Sequence, residues 1–356
     1  MGKKKMKAIL KARAAPGLEW AEVDVPTIGP REVLIRVIAT SICGTDVHIF
    51  DWDAWSQSRV KPPLILGHEF AGEIVEVGEE ADTEAYRAAG IRPGAFVSAE
   101  GHIVDNTCFQ CRTGNKHICQ NVSVLGIDRP GTYAEYVAVP VENVWVNPPD
   151  LPPEIASLQD PLGNAVHAAL AQEIVGKTVL VTGCGPIGLM AIPVCLAAGA
   201  AAVFATDVRP QRLELARRLK ATRALNPLEE DVHSIVREAT GGEGVDVLLE
   251  MSGSKEAMDQ GFGLLKNGGA AALLGLPSRP FAFDWGKHVI FKGVTVRGIF
   301  GRRIWQTWYQ MRELLASGRL DLSPLITHRL RLEEFAQGFA LLKSREQVVG
   351  KVVMFP

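Results

Sequence analysis

The sequence predicts an α/β protein in two parts: a mostly-β, chiefly antiparallel domain opens the chain, and a doubly wound parallel sheet follows it. Three observations carry this. Up to about Val146, short β-branched runs such as "EVLIRVIAT", "AGEIVEVGEE" and "TYAEYVAVP" are broken by Gly and Pro, the pattern of strands joined by turns. From Gly176 to about Gly301, strand-like and helix-like segments alternate: "KTVLVTG", "AVFATDV", "QRLELARRLKA", "VDVLLEMSG", "AAALLGL", "VTVRGIFG". Such alternation implies parallel strands with helices on both faces. The third is length, because 356 residues exceed what one hydrophobic core usually serves.

Within the first part, "EADTEAYRAAGIRPG" (80–94) begins polar and closes on Pro93-Gly94, which predicts a surface excursion. In the second part, Ile187 to Ala205 carries no charge over nineteen residues. Gly188, Pro193 and Gly199 interrupt it, so it reads as a buried helix of about a dozen residues and then a buried strand, not as a membrane span. The last fifty or so residues hold an amphipathic helix, "WQTWYQMRELLASG", and a closing strand, "VVGKVVMFP", expected to complete the first domain. The expected boundaries are 1–165 with 305–356 for the first domain and 166–304 for the second.

Composition narrows the function. Apolar residues make up 47% and charged residues 22%, with a formal charge of -2, so no general field favours nucleic acid or an anionic membrane. Neither is expected as a partner. Six cysteines are too few for a disulfide scaffold, and three crowd together at metal-like spacing, which points to a reducing, cytoplasmic setting.

The stretch "VLVTGCGPIGLM" places Gly183-x-Gly185-x-x-Gly188 between a β-branched strand and a helix, the context that a dinucleotide turn requires. Gly183 allows the tight turn, Gly185 lets backbone approach a pyrophosphate, and Gly188 lets the helix pack on the strand; the helix N-terminus then offers free N–H groups. Nineteen residues after Gly188, Asp207 ends the second strand, where an acid accepts hydrogen bonds from the adenosine ribose and repels a 2'-phosphate. This selects NAD, although Arg209 and Arg212 stand close by in sequence.

Two metal-suggestive sets lie in the first part. Cys43, in "SICGTDVH", joins His68 and Glu69, in "LGHEFAGEIVEVG", with Asp160 as a distant acid. Thiolate, imidazole and carboxylate are the donors of a catalytic zinc with an open position. The other set, "DNTCFQCRTGNKHIC", spaces Cys108, Cys111 and Cys119 as C-x2-C-x7-C, with Asp105 three residues before Cys108. An Asp and three Cys close a tetrahedron around zinc, more weakly than four thiolates; the alternative is an empty lobe with free thiols. His117 is a minor substitute ligand.

Taken together, "CGTDVHIFDWDAWSQ", "GHEFAGEIVEVG", "EGHI", "DPLGNAVHAAL", "GPIGLMA", "GIFGRRIWQTWYQM" and "DLSPLITHRL" resemble the zinc-dependent medium-chain alcohol dehydrogenase family from about Met6 to the C-terminus. The first, fourth and last of these point to its branch acting on L-threonine. The resemblance implies a GroES-like catalytic domain and a Rossmann domain. It also implies zinc on Cys43, His68 and Glu69, and a structural zinc on Asp105, Cys108, Cys111 and Cys119, where the family carries four cysteines. Asp160 would be a displaceable fourth ligand or a neighbour in the proton relay, its short side chain leaning to the latter. Thr45 and His48 would pass the substrate proton to solvent, and His102 would line the pocket. Asp207 and Arg212 would bind the adenosine ribose, Ile187 would lie near the pyrophosphate, and Leu274, Gly275, Leu276, Ile299 and Phe300 would lie along the nicotinamide end. Leu162 stands where Phe is usual, and the 80–94 segment is longer than usual.

The activity so implied is oxidation of the C3 hydroxyl of L-threonine with NAD, and the nearest rival is a polyol or secondary-alcohol dehydrogenase with the same zinc and NAD residues. His102 and the "FDWDAWSQ" loop are candidates for holding the substrate amine and carboxylate. The resemblance further implies a homotetramer, with an open sheet edge near "VTVRGIFG" available for pairing.

Overall fold

The computed structural model describes residues 4–344 and 346–356. The chain divides into two units. One runs to Asp160 and takes up His328–Ser344 and Lys351–Pro356; the other holds Pro161–Thr327 and a short stretch ending at Gly350. The expected boundary at 304/305 thus differs from the observed grouping, in which the helix Gln306–Ala316 belongs to the parallel-sheet unit. Trp308 and Met311 of that helix are fully buried, and the 3-10 turn Ser323–Leu325 that follows touches the helices Pro186–Ala197 and Pro210–Arg218.

The first unit is mostly β. Its axis is the ten-residue strand Glu32–Ser41, "EVLIRVIATS", β-branched where it must pack on both sides. It pairs antiparallel with Glu69–Val77, with Tyr136–Pro140 and with Lys351–Phe355. Ser41 therefore stands opposite Glu69 on one side and Val353 on the other. Val33, Ile35, Phe70, Ile74, Val97 and Val139 fill the core beside this sheet. The 80–94 segment is more than a surface excursion, because Ala81 and Ile91 are buried in that core and Tyr86 packs on it. Between them Thr83 caps the short helix Glu84–Ala88 through the Tyr86 N–H, at 3.3 Å. Ala81, Tyr86 and Ile91 stand five residues apart, a spacing that matches neither the strand nor the helix period.

The second unit contains six parallel strands: Thr178–Thr182, Ala202–Thr206, Arg223–Leu225, Val245–Glu250, Leu265–Leu273 and Thr295–Gly298. Numbered along the chain, they stand in the spatial order 3-2-1-4-5-6, the doubly wound arrangement expected, with its switch point at the first strand. The uncharged run resolves into the helix Pro186–Ala197 and the strand Ala202–Thr206. Pro193 does not interrupt it as expected: it lies inside the helix, fully packed, and the chain turns instead at Gly199, whose φ is 99°. A proline there costs one helical hydrogen bond, which burial of a wholly apolar helix offsets. Among the described residues no helix is long and apolar enough to cross a membrane.

Candidate active site

The strand Glu32–Ser41 ends two residues before Cys43, which is the N-cap of the helix Gly44–Asp51. Asp46 in the first turn of that helix accepts the Cys43 backbone N–H at 2.9 Å. The neighbouring strand begins at Glu69, so register alone delivers His68 and Glu69 beside Cys43. One ligand atom from each of Cys43, His68 and Glu69 lies within 4.8 Å of the others. His68 and Glu69 are buried and Cys43 is half-buried.

The surroundings hold this group tightly. Oε2 of Glu69 accepts from Ser41 Oγ and from Lys351 Nζ, and Lys351 also donates to the carbonyl of Ile42 at 2.9 Å. Lys351 and Glu69 are each about wholly inaccessible, with 1% of their side chains exposed. Behind His68, Asp46 accepts the Tyr133 hydroxyl at 2.6 Å. His68 Nδ1 lies 3.8 Å from Asp46 Oδ1, and neither atom has a hydrogen-bond partner. Burial disfavours a charged His68, but the Cys43 sulfur and Asp46 outweigh it and raise its pKa well above the ordinary value. A half-buried thiol beside a buried imidazole and carboxylate, with orphaned polar atoms behind them, is a donor set that fits zinc with one position open.

Asp160 stands in the first turn of the helix Gln159–Leu170, 7% exposed. It is not one of the three grouped ligands, but its charge acts on His68. Thr45 Oγ1 lies 3.7 Å from Cys43 Sγ, and His48 follows one turn later on the same helix. His48 Nδ1 meets Asp53 Oδ2 at 2.7 Å. His102 begins the two-residue strand His102–Ile103. Its N–H donates to Glu100 at 2.9 Å and its carbonyl accepts from Asn143 at 3.0 Å.

The second cluster is a loop closed on itself. Asp105, Cys108, Cys111 and Cys119 each present a ligand atom within 4.8 Å of the rest, and His117 is not among them. Cys108 is N-cap of the one-turn helix Phe109–Arg112. The backbone N–H groups of Cys111 and Gln120 point at its sulfur and lower its pKa, whereas burial pushes Cys111 up to about 12. Asp105 Oδ1 accepts the N–H groups of Thr107 and Cys108 at 2.8 and 3.0 Å, and Oδ2 accepts from Asn121 Nδ2 at 2.6 Å. The Cys108 N–H leads the causes that hold its carboxyl far below the ordinary range. Amide-to-sulfur bonds and an ionised acid facing three thiols fit a closed zinc site.

In the second unit the glycine turn has the geometry that its spacing predicts. Gly183 has φ 91°, and a Cβ there would meet Ser252 at 2.8 Å. A Cβ on Gly188 would lie 2.0 Å from the carbonyl of Gly183, whereas one on Gly185 would meet nothing within 4 Å. The open position is the one a pyrophosphate would approach. Gly185 caps the helix Pro186–Ala197 without a side-chain acceptor, leaving its first N–H groups, Ile187 included, to an anion. Asp207 Oδ2 accepts the Cys184 N–H at 2.8 Å and Arg212 Nη1 at 3.4 Å, and Oδ1 accepts the Arg209 N–H at 2.8 Å. Leu274 and Gly275 donate to the Glu250 carbonyl at 2.9 and 3.1 Å, and Ile299 to that of Leu273 at 2.8 Å. Leu276 and Phe300 are exposed, at 90% and 56%.

Several supporting residues were not found from the sequence. Lys351 and Ser41 clamp Glu69, Tyr133 and Asp46 stand behind His68, and Glu250 holds the N–H groups of Ser252 and Gly253 at 2.9 and 3.0 Å. The available signal was a charge inside an apolar strand, as Lys351 is in "VVGKVVMFP" and Glu250 in "VDVLLEMSG", since a buried charge demands a partner.

Two family models match the chain: the alcohol dehydrogenase GroES-like domain over residues 29–149 and the zinc-binding dehydrogenase over residues 186–317. The L-threonine 3-dehydrogenase of Symbiobacterium thermophilum is 49% identical over 352 residues, 99% of this chain and 98% of that protein. The enzyme of the same name from Caldanaerobacter subterraneus subsp. tengcongensis is 49% identical over 352 residues, 99% of each. Among solved structures, a zinc-binding dehydrogenase from Sinorhizobium meliloti bound to NADP superposes with a TM-score of 0.89 at 29% identity, covering 99% of this chain and 100% of that one.

Proposed function

The chain belongs to the zinc-binding alcohol dehydrogenase family, and we propose that within it the protein oxidises the C3 hydroxyl of L-threonine to 2-amino-3-oxobutyrate with NAD. The observation that carries this reading is the Cys43, His68 and Glu69 group in a chain 49% identical, end to end, to a relative named for that reaction. Zinc bound there supplies Lewis-acid polarisation of the hydroxyl, and NAD supplies the hydride acceptor.

The chain's own part is geometry and proton handling. Cys43, His68 and Glu69 would hold the metal, Asp160 acts electrostatically on His68 as a neighbour in the relay, and Thr45 and His48, one helical turn apart, would carry the substrate proton outward. His102 lines the pocket. The turn Gly183–Gly188 takes the pyrophosphate at Ile187, and Asp207 with Arg212 takes the adenosine ribose. Leu274, Gly275, Leu276, Ile299 and Phe300 line the nicotinamide end. The Sinorhizobium structure holds NADP, but the Asp207 carboxylate at the strand end favours the cofactor without a 2'-phosphate. The lobe at Asp105, Cys108, Cys111 and Cys119 would hold a structural zinc. A cytoplasmic homotetramer is part of the same reading, supported by the strand Thr295–Gly298 at the edge of its sheet.

The test is the initial rate of NADH formation with L-threonine beside sorbitol and 2,3-butanediol, repeated after chelation. A threonine preference that disappears with the metal is expected. Turnover of a polyol with threonine inert would sink the substrate assignment and leave the metal and dinucleotide sites standing.

A further inference from the structure

The helix Gly44–Asp51 does not simply end. Its C-cap, Trp52, adopts the left-handed conformation at φ 58° and ψ 47°, with its N–H on the carbonyls of His48 and Ile49. For a residue with a Cβ that conformation costs about 1–2 kcal/mol, and here two contacts pin it. Gln57 Nε2 donates to the Trp52 carbonyl at 2.8 Å. The Lys11 ammonium sits 4.7 Å from the Trp52 ring. Lys11 is itself wholly buried, and it donates to the carbonyls of Ala15 and Gly17 at 2.6 and 3.1 Å.

The result of this turn is to bring Asp53 back onto His48. Its two carboxylate oxygens are divided between two tasks. Oδ1 accepts the Ser56 N–H and hydroxyl, each at 2.9 Å, and so caps the helix Ala54–Arg59. Oδ2 meets His48 Nδ1 at 2.7 Å. Burial works against the Asp53 charge, but the Ser56 N–H and the His48 ring outweigh it and leave its pKa lowered. An ionised carboxylate only accepts, so a neutral imidazole beside it must carry its proton on Nδ1 and expose the lone pair of Nε2.

We propose that Asp53 is the positioning residue of His48, holding the imidazole in the tautomer and orientation in which Nε2 is the nitrogen open to the substrate proton. The inference rests on the reading of His48 as the outer end of the proton path. In it the proton leaving the substrate hydroxyl by way of Thr45 is taken by Nε2, the ring becomes imidazolium, and Asp53 stabilises that cation until a proton is released to water. Asp53 stays ionised throughout, and the helix it caps ties the orientation of His48 to the "DWDAWSQ" loop.

The test uses the zinc-loaded protein with histidines labelled with nitrogen-15, the His48 signals being identified from a His48→Ala variant. Wild type is expected to show the proton of neutral His48 on Nδ1; a proton on Nε2 would overturn the proposal without any variant of Asp53. The kinetic arm compares Asp53→Ser, His48→Ala and the double variant on the secondary alcohol that wild type oxidises. Ser keeps an N-cap acceptor for Ser56 but places no anion on the ring. His48→Ala is expected to lower kcat about 100-fold, and Asp53→Ser about tenfold with KM unchanged. The double variant should be no slower than His48→Ala. If the Asp53→Ser loss adds fully to that of His48→Ala, Asp53 is a helix cap alone and the proposal fails. If His48→Ala keeps the wild-type kcat, the proton-path reading fails instead, and the nitrogen-15 spectrum still reports whether Asp53 orients the ring.

Discussion

The two metal-suggestive clusters of the first unit are made in opposite ways. Cys43, His68 and Glu69 come from the ends of two sheet strands, and the carboxylate is clamped by Lys351 from a third. The lobe at 105–119 draws all four candidate ligands from fifteen consecutive residues and orients them with its own backbone amides. The first offers three donors and keeps a position open; the second offers four and closes. A site that must bind substrate gains from rigid positioning by a sheet core, whereas a site that only ties a loop needs no partner outside the loop.

The largest expected effect breaks the comparison if it fails. Cys43→Ala should lower kcat at least about 1,000-fold, several kcal/mol of lost polarisation, with one zinc lost per chain by metal analysis. Cys111→Ser should also lose one zinc but keep most of its kcat and melt earlier. If both variants lose turnover alike, the division into reactive and structural sites is wrong. Next in size is the clamp. In the metal-free protein Lys351→Met leaves the Glu69 carboxylate buried without its counter-ion, which costs about 3–5 kcal/mol; the denaturant midpoint after chelation measures it, and adding Glu69→Gln should recover part of the loss.

Smaller effects sharpen the contrast. In the metal-free lobe burial pushes the Cys111 thiol up to about 12, so zinc must expel its proton on binding, and zinc affinity should rise as pH rises. A chelator-competition series that showed affinity flat with pH would contradict this ligand set. Asp105 acts in the other direction. Its folded pKa is lowered, so its contribution to stability is present above the ordinary carboxylate pKa and lost as pH falls through the lowered value. The smallest change is Asp105→Cys, which should tighten lobe binding by about tenfold as a softer donor replaces oxygen and leave kcat with threonine untouched.

The sequence by itself determined what repeats over short range. Alternation of β-branched and helical segments gave the two architectures, the turn at Gly183, Gly185 and Gly188 lay legible between its strand and helix, and the spacing of Asp105, Cys108, Cys111 and Cys119 marked a candidate metal lobe whose four ligand atoms lie within 4.8 Å of one another. Each of these is a local pattern, because backbone period, turn stereochemistry and loop closure act between near neighbours. Pro193 misled because a buried apolar helix can absorb the hydrogen bond it removes, which composition does not reveal. What only the tertiary structure decided was the company of Glu69. Lys351 reaches it across 282 positions of chain, because strand register sets Ser41 between Glu69 and Val353. Tyr133 likewise reaches Asp46 across 87 positions. Register is fixed by the packing of whole strands on a common core, and no spacing along the chain encodes which distant charge that packing will enclose.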